Sequence, residues 1–579
     1  MRYQVLACDY DGTLAHDGRV NDDTLKALEK LLASGRKLVL VTGRELPDLL
    51  EIFPQINLFE YVVAENGALL YKPSSKEEQP LAEAPSAKFV NALKKRGVGP
   101  MSVGRVIVAT REPHETAVLE TIRDQGLELQ VIFNKGAVMI LPAGVNKSTG
   151  LAAALKLMKL SPHNAVGVGD AENDHALLNF CEFSFAVANA LPSLKEAADA
   201  VTKADHGAGV AELIDRMVDT DLLDLDVRIT HHHLPLGISD GEEVSLPAYG
   251  PCVLICGPSA SGKSTVATTV LEAIASQKYQ YCIIDPEGDY ETLDNVLVLG
   301  GPQSAPNADE IIKALQNPET NVVVSMTGMS IPDRPPFFLD LLPRLLKLRA
   351  ETGRPHWLIL DEVHHLMPAE WKPPTNLLPD NWHNALMITV HPDLLAKPLL
   401  ERIGMLLTVG ADAGETLKNF AEAAGVKPGR FKKPDLQKGE ALLWSKGDKS
   451  VPQVVKVNPS QSGRRRHRRK YSEGSLPPER SFYFKGPEEK LNLRAQNLMM
   501  FLQIGDGVDD DTWTHHLTNG DIADWFRKGI KDDALAEEAE SIAESSGDSP
   551  GESRKLIRQA VERDYTLPAT GPLPVPGAG

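Results

Sequence analysis

Asp9 and Asp11 stand two positions apart in Cys8-Asp9-Tyr10-Asp11-Gly12-Thr13-Leu14, directly after the apolar run YQVLA. Side chains at i and i+2 of an extended segment share a face, so the two carboxylates can converge on one ligand. Such a pair suits phosphoryl transfer: one carboxylate attacks phosphorus, and the other protonates the leaving oxygen and then activates water. Carboxylates facing a phosphate repel it, which demands a cation. Gly169-Asp170-Ala171-Glu172-Asn173-Asp174, after another strand-like run, supplies hard oxygen ligands suited to magnesium. Thr42, closing LVLVTGR, offers a hydroxyl to phosphate oxygens, and Lys147, in GVNKSTG, offers positive charge to a transition state. Taken singly, a DxDG turn is equally a plain β-turn, and a lone lysine is usually a solvated charge.

A second constellation lies further on. Gly257-Pro258-Ser259-Ala260-Ser261-Gly262-Lys263-Ser264-Thr265 satisfies GxxxxGK[ST] between the strand-like VLIC and the helix-like TVATTVLEAI. Gly257, Ser259 and Gly262 leave backbone N–H groups free to wrap phosphates at a helix N-terminus. Lys263 reaches the outer phosphates, Ser264 ligates magnesium and Thr265 completes the motif, which reads as a P-loop for ATP. The apolar run HWLIL delivers Asp361 for the magnesium shell and Glu362 to polarise an attacking water.

These residues must be positioned by elements. From residue 1 to about 225, short Val/Leu/Ile runs alternate with helical periods, as βαβ units on a parallel sheet require. Residues about 80 to 142 break the rhythm and read as an inserted α/β cap. A second α/β segment, 226–457, carries the apolar runs PCVLICG, YCIID, NVVVSM, HWLILDE, ALMITV and GMLLTVG. Residues 458–480 read as a basic linker, and 481–579 as a small helical module with a disordered tail. The 579 residues suit roughly three or four domains at ~150 residues each, which excludes a single small binding module. Acidic residues outnumber basic ones, 79 to 61, for a net charge of -18, so the whole surface is no electropositive nucleic-acid glove. The run GRRRHRRK, Gly463 to Lys470, stands against that average and is open to polyanion contact or to a soluble linker role. His231 to His233 read as a structural or solvated segment, and Trp513, His515, His516 and Trp525 as a buried helical face. The five cysteines read as buried reduced thiols. With no signal-like or membrane-length apolar segment, the expected localisation is cytoplasmic, with no membrane partner.

In their order, each at a strand end, Asp9/Asp11, Thr42, Lys147 and Asp170/Asp174 resemble the four motifs of the haloacid dehalogenase (HAD) superfamily. AENGALLY (64–71), the late cap and AVANALPSLKEAADAVT resemble its Cof-type, IIB-capped phosphatases. The resemblance covers about residues 1 to 220. It implies a Rossmann-like parallel sheet with an α/β cap, Asp9 as nucleophile, Asp11 as acid/base, and Thr42 and Lys147 as phosphate ligands. It also implies Mg2+ held by Asp9, Asp170 and the Asp11 carbonyl, with Asp174 in support. DEVHHLMP, IIDPEGDY and LPLGISDGEEVSLPAYG resemble the HerA/FtsK-like ATPases over about 230 to 420, which implies a P-loop NTPase parallel sheet and a ring-forming, commonly hexameric motor acting on DNA. That family often places a glutamine sensor where this chain has His391, which is open to a sensor role or a plain strand-end role. Arg402 is open to being a finger toward a neighbouring subunit or a surface salt-bridge residue.

The expectation is an α/β multidomain bifunctional enzyme: a Mg-dependent phosphomonoesterase for a phosphorylated small molecule or nucleic-acid end, fused to an oligomeric ATPase linked to nucleic acid. A sugar or cofactor phosphate phosphatase gated by ATP, and an end-healing kinase-phosphatase, are the alternatives.

Overall fold

A computed structural model describes the chain apart from residues 229–230, 259–260, 371–376, 381, 433, 448–449, 461–470, 472–475, 477, 531, 548 and 566–579. Ser259 and the basic run Gly463 to Lys470 therefore lie outside the described residues.

The first part of the chain contributes β1 (Val5–Cys8), β2 (Lys37–Val41), β3 (Tyr61–Ala64), β4 (Leu69–Lys72), β5 (Glu77–Pro80), β6 (Ser102–Val103), β7 (Val108–Arg111), β8 (Leu129–Asn134), β9 (Ala137–Pro142), β10 (Ala165–Gly169), β11 (Phe183–Ala186) and β12 (Ala200–Val201). Eight of them form a sheet in the order β12-β11-β10-β1-β2-β3-β4-β5. From β12 to β3 the neighbours are parallel, and β4 and β5 fold back antiparallel. The central strands are buried along their length, which is why they read as unbroken apolar runs. The chain leaves β1 toward β2 and leaves β10 toward β11, so the connections diverge between these two neighbours. A crevice opens there, at the strand ends that carry Asp9 and Asp170.

Residues β6 to β9 form the separate cap sheet, ordered β6-β7-β9-β8. Helices Ala87–Lys95 and Glu115–Gln125 cover it around Phe89, Leu93, Val108, Val118 and Ile140.

The next eleven strands are β13 (Leu234–Ser239), β14 (Glu242–Leu246), β15 (Cys252–Cys256), β16 (Tyr281–Asp285), β17 (Val296–Gly300), β18 (Asn321–Ser325), β19 (Trp357–Leu360), β20 (Ala385–Thr389), β21 (Ile403–Thr408), β22 (Glu440–Ser445) and β23 (Gln453–Val457). They form one sheet ordered β14-β13-β23-β22-β21-β15-β20-β19-β16-β18-β17. Where the sequence reading has a parallel sheet, the structure has a mixed one: β21 to β17 are parallel, and β22, β23, β13 and β14 extend one edge antiparallel. The cause is local. Asp240-Gly241, with φ of 50° and 87°, closes β13 onto β14 by a two-residue turn, and such a link can only produce antiparallel strands.

The last part is mainly helical, with helices Leu498–Gly507, Asp510–Thr518, Asp521–Trp525, Asp533–Ser546 and Pro550–Tyr565. It also holds a two-stranded ribbon, β24 (Phe482–Phe484) with β25 (Leu493–Ala495), which the helical expectation omitted. Trp513, His516 and Trp525 are buried in its core, and His515 is half-buried. All five cysteines are buried and free. Among the described residues no helix is long and apolar enough to cross a membrane.

Candidate active site

Asp9 follows β1 directly, and its backbone N–H donates to Val168 of β10 at 3.0 Å, so the two central strands stay paired up to the point where the acids emerge. Its carboxylate is buried, 2.5 Å from Lys147 Nζ, and the same ammonium lies 2.6 Å from Asp174. Lys147 is the first residue of helix Lys147–Met158. Asn146 caps that helix by accepting from the N–H groups of Ser148 and Thr149, while the Thr149 hydroxyl accepts from the Asn146 N–H. The cap fixes the start of the helix and with it the lysine. Asp174 in turn accepts the N–H groups of Asp170 and Ala171 at 2.9 and 3.0 Å, which shapes the loop after β10.

Burial and the neighbouring Asp174 push the Asp9 carboxyl up to about 8, against the opposing pull of Lys147. Burial alone would lower the Lys147 ammonium, but Asp174 and Asp9 raise it above its ordinary value. Burial also raises Asp170, although Lys135 opposes it. Too little positive charge is present for the acids gathered here. Oxygens of Asp9, Asp170 and Asp174 lie within 4.8 Å of one another, a hard donor set that fits magnesium.

The structure does not bring every expected residue to the nucleophile in the same way. Asp11 is held off by Arg44, whose Nε and Nη2 donate to its two carboxylate oxygens at 2.6 and 2.7 Å. Thr42 is buried, and its hydroxyl accepts the Arg44 N–H at 3.1 Å. Three further residues, not among the expected site residues, stand at or near the crevice: Glu65 and Asn189 lie within the runs AENGALLY and AVANALPSLKEAADAVT, and Lys135 lies outside any motif run. Lys135, from the cap, reaches Asp170 at 2.7 Å. Glu65, wholly buried, accepts the backbone N–H groups of Arg105, Val106 and Ile107 and so ties the cap to the core. Asn189 donates to the Gly12 carbonyl at 2.7 Å.

In the second sheet, Gly262 (φ 100°) adopts the left-handed turn before helix Lys263–Ser276. Lys263 is buried and donates to the Pro258 carbonyl at 2.9 Å, while Ser264 and Thr265 are exposed at the helix start. A Cβ on Gly257 would lie 2.5 Å from the Val409 carbonyl, so only glycine fits beside that strand end. Burial and the charges of Asp285, Asp289 and Glu362 raise the Asp361 carboxyl well above its usual range. The imidazole beside Glu362 is that of His364, 3.4 Å away, which also meets the Thr389 hydroxyl at 3.1 Å. His391 is exposed and lines a shallow cleft with Asp393, Asn419 and Glu422. Arg402 turns inward to the carbonyls of Pro379, Pro398 and Leu378, at 2.7, 2.8 and 3.3 Å, with Asp380 at 3.5 Å.

Two other groups have metal-ligand composition. In the first, His163, Glu182 and His232, the Glu182 oxygens already receive Arg2, Tyr279 and His163. In the second, His516 accepts from Lys485 and Gly486 and faces Asp521.

A parallel sheet with acids at its point of divergence, a buried lysine and a late α/β cap defines a capped phosphohydrolase of the haloacid dehalogenase kind. The chain belongs to that family: the haloacid dehalogenase-like hydrolase family matches residues 6–112 and 101–214. The phosphoglycolate phosphatase of Methanothermobacter thermautotrophicus is 31% identical over 224 residues, covering 37% of this chain and 99% of that protein. That of Natronomonas pharaonis is 31% identical over 229 residues, covering 37% and 97%. Among solved structures, a haloacid dehalogenase-like hydrolase from Bacteroides thetaiotaomicron aligns with 20% identity and a TM-score of 0.33, over 37% of this chain and 99% of that one.

Proposed function

We propose that the first 220 or so residues are a magnesium-dependent phosphomonoesterase acting on small phosphorylated acids of the phosphoglycolate kind, and that residues 226–457 bind and hydrolyse ATP. The observation that carries the first part is the Asp9 carboxylate, at the end of β1, 2.5 Å from the buried Lys147 and beside Asp170 and Asp174. Relatives matched over nearly their whole length bear the name phosphoglycolate phosphatase, which supports the substrate class.

Asp9 attacks phosphorus, forming an aspartyl phosphate as the bond to the substrate oxygen breaks. Asp11 swings out of the Arg44 clamp to protonate that oxygen. It then takes a proton from the water that cleaves the aspartyl phosphate, releasing phosphate and restoring Asp9. Lys147 balances the charge that gathers on phosphate as it nears Asp9 and Asp174. Asp9, Asp170 and the Asp11 carbonyl would hold magnesium, which supplies the positive charge that lets a phosphate dianion approach three carboxylates.

The nucleotide reading is supported by Lys263 at the start of its helix and by Asp361 and Glu362 beyond β19. A ring acting on nucleic acid rests on motif resemblance and on the basic run 463–470.

The test separates the two halves. Asp9→Asn is expected to cut magnesium-dependent phosphate release from phosphoglycolate below about one thousandth while leaving ATP turnover intact, and Lys263→Ala is expected to do the reverse. Phosphoglycolate hydrolysis that survives Asp9→Asn removes the nucleophile assignment. ATP turnover that survives Lys263→Ala, or that ignores added DNA in a monomeric protein, removes the nucleotide-site or motor assignment respectively.

A further inference from the structure

The cap places one charged side chain on the acidic crevice. Lys135 Nζ lies 2.7 Å from Asp170 Oδ2 and 3.5 Å from the Asp11 carbonyl oxygen. Among the described residues it is the cap side chain that hydrogen-bonds there, while Lys147 is engaged by Asp9 and Asp174, and Arg44 by Asp11 and Asp48.

Its position is built. Lys135-Gly136, with φ of 48° and 82°, forms the two-residue turn between β8 and β9, closed by the pairing of Asn134 with Ala137. Glu112 N–H donates to the Gly136 carbonyl at 3.0 Å, tying the turn to the rest of the cap. The side chain is 49% exposed and Asp170 only 3%, so the ammonium enters from the mouth of the crevice while its stem stays outside. The approach is close enough that a Cβ on Gly12 would lie 2.8 Å from Nζ.

Asp170 and the Asp11 carbonyl are two of the three groups that would hold magnesium. An ammonium and a divalent cation cannot share them, because they need the same oxygens and repel each other. Displaced from Asp170, the ammonium remains tethered at the crevice mouth by the hairpin. Because Asp9 and Asp170 are buried and Lys135 is half-exposed, a phosphomonoester with its phosphate at Asp9 would have its other end on the open side where Lys135 stands.

We infer that Lys135 exchanges with the divalent cation at the Asp170–Asp11 seat, so that cation binding moves the cap hairpin, and that the displaced ammonium recognises a second anionic group on a short phosphomonoester. The inference rests on the hydrolase reading above and gives its substrate class a physical reader.

The experiment uses the full-length chain and the variant Lys135→Asn, since asparagine tolerates the left-handed turn. Arg111→Gln, at an exposed cap residue on the neighbouring strand, controls for the loss of one positive charge. Calorimetric titration with magnesium chloride is expected to show binding about fivefold tighter in Lys135→Asn than in Arg111→Gln, because no ion pair must first be broken. The ratio of kcat/KM for phosphoglycolate to that for ethyl phosphate is expected to fall at least about tenfold in Lys135→Asn. If either readout stays at the control value, the inference falls. A wild-type protein that hydrolyses neither compound sinks the hydrolase reading instead, and the titration still decides the exchange.

Discussion

Asp9 and Asp11 leave β1 together yet meet different partners, a buried lysine for one and a bidentate arginine for the other. Between them and Asp170 there is almost no spare room. Gly12 has φ 86°, and a Cβ there would lie 2.3 Å from Asp170 Oδ2. Gly12→Ala therefore forces both a left-handed alanine, at roughly 1–2 kcal/mol, and a displaced Asp170 carboxylate, the proposed magnesium ligand. Its kcat on phosphoglycolate is expected to drop at least about tenfold, with a weaker apparent magnesium affinity. Steady-state kinetics across a magnesium series checks this, and wild-type values would show that the loop relaxes freely. At this scale the sequence announces residues whose chemistry is local in the chain: Asp9, Asp11, Asp170 and Asp174 are spaced by the strand and turn that carry them. Lys135 is invisible because 124 positions separate it from the Asp11 carbonyl it touches, and nothing in Asn134-Lys135-Gly136 marks a lysine that points inward. Arg44 sits beside Thr42 in a recognisable run, but its role as the partner of Asp11 appears only when β1 and β2 lie side by side.

Helix Lys147–Met158 shows how an element delivers a single atom. Lys147 is the first helical residue, where the chain is most prone to fray, and Asn146 satisfies two backbone N–H groups there. Asn146→Ala is expected to cost about 1 kcal/mol of stability and to lower kcat more than it raises KM, since a loosened Lys147 is missed most in the transition state. Urea unfolding and steady-state kinetics together separate the two effects, and a stability loss with unchanged kcat would limit the cap to a structural role. Elements were legible in proportion to how fully they are buried. β1, β2, β10, β15 and β16 read plainly as apolar runs because neither face meets water. β5, whose residues Glu77–Pro80 are all exposed, and β6, equally exposed, have no apolar pattern to betray them. The antiparallel margin of the second sheet escaped for a related reason: an edge hairpin such as β13–β14 is specified by its Asp-Gly turn and by pairing with the distant β23, which periodicity alone does not encode.

In the whole molecule the two large sheets meet through a compact ionic junction just before β11. Glu182, 1% exposed, receives Arg2 at 2.6 Å, the Tyr279 hydroxyl at 2.9 and 3.0 Å and His163 at 2.7 Å. His163 also meets the Gln277 carbonyl at 2.8 Å, and Arg354 donates to the Lys159 carbonyl at 2.7 Å. Helix Lys263–Ser276 starts at Lys263 and is capped by Gln277, while His163 lies just ahead of β10, which leads to Asp170. The junction thus stands between the two candidate sites along continuous rigid elements. Burial would raise the Glu182 carboxyl, but His163, Arg2 and His232 outweigh it and hold the group well below the usual carboxylate range. A carboxylate depressed in the folded state contributes stability that is present above its unfolded value, about 4.3, and is lost as the pH falls below it. His356 and His232 are lowered, chiefly by burial, from the ordinary histidine value. They take up protons less readily folded than unfolded, so acid begins to favour the unfolded chain once the pH drops below about 6.5. The unfolding midpoint is therefore expected to decline between pH 7 and 5 and to fall more steeply below about pH 4.3. His232→Phe, which keeps a ring but removes one titrating group, is expected to flatten the first decline. Glu182→Leu, which takes the shared carboxylate from Arg2, Tyr279 and His163, is expected to cost about 3–5 kcal/mol at neutral pH. Calorimetric melting of the three proteins across this pH range decides the matter: an acid slope identical in wild type and His232→Phe would place the sensitivity outside the junction, and a Glu182→Leu melt at the wild-type midpoint would mean that the ionic network does not hold the sheets together.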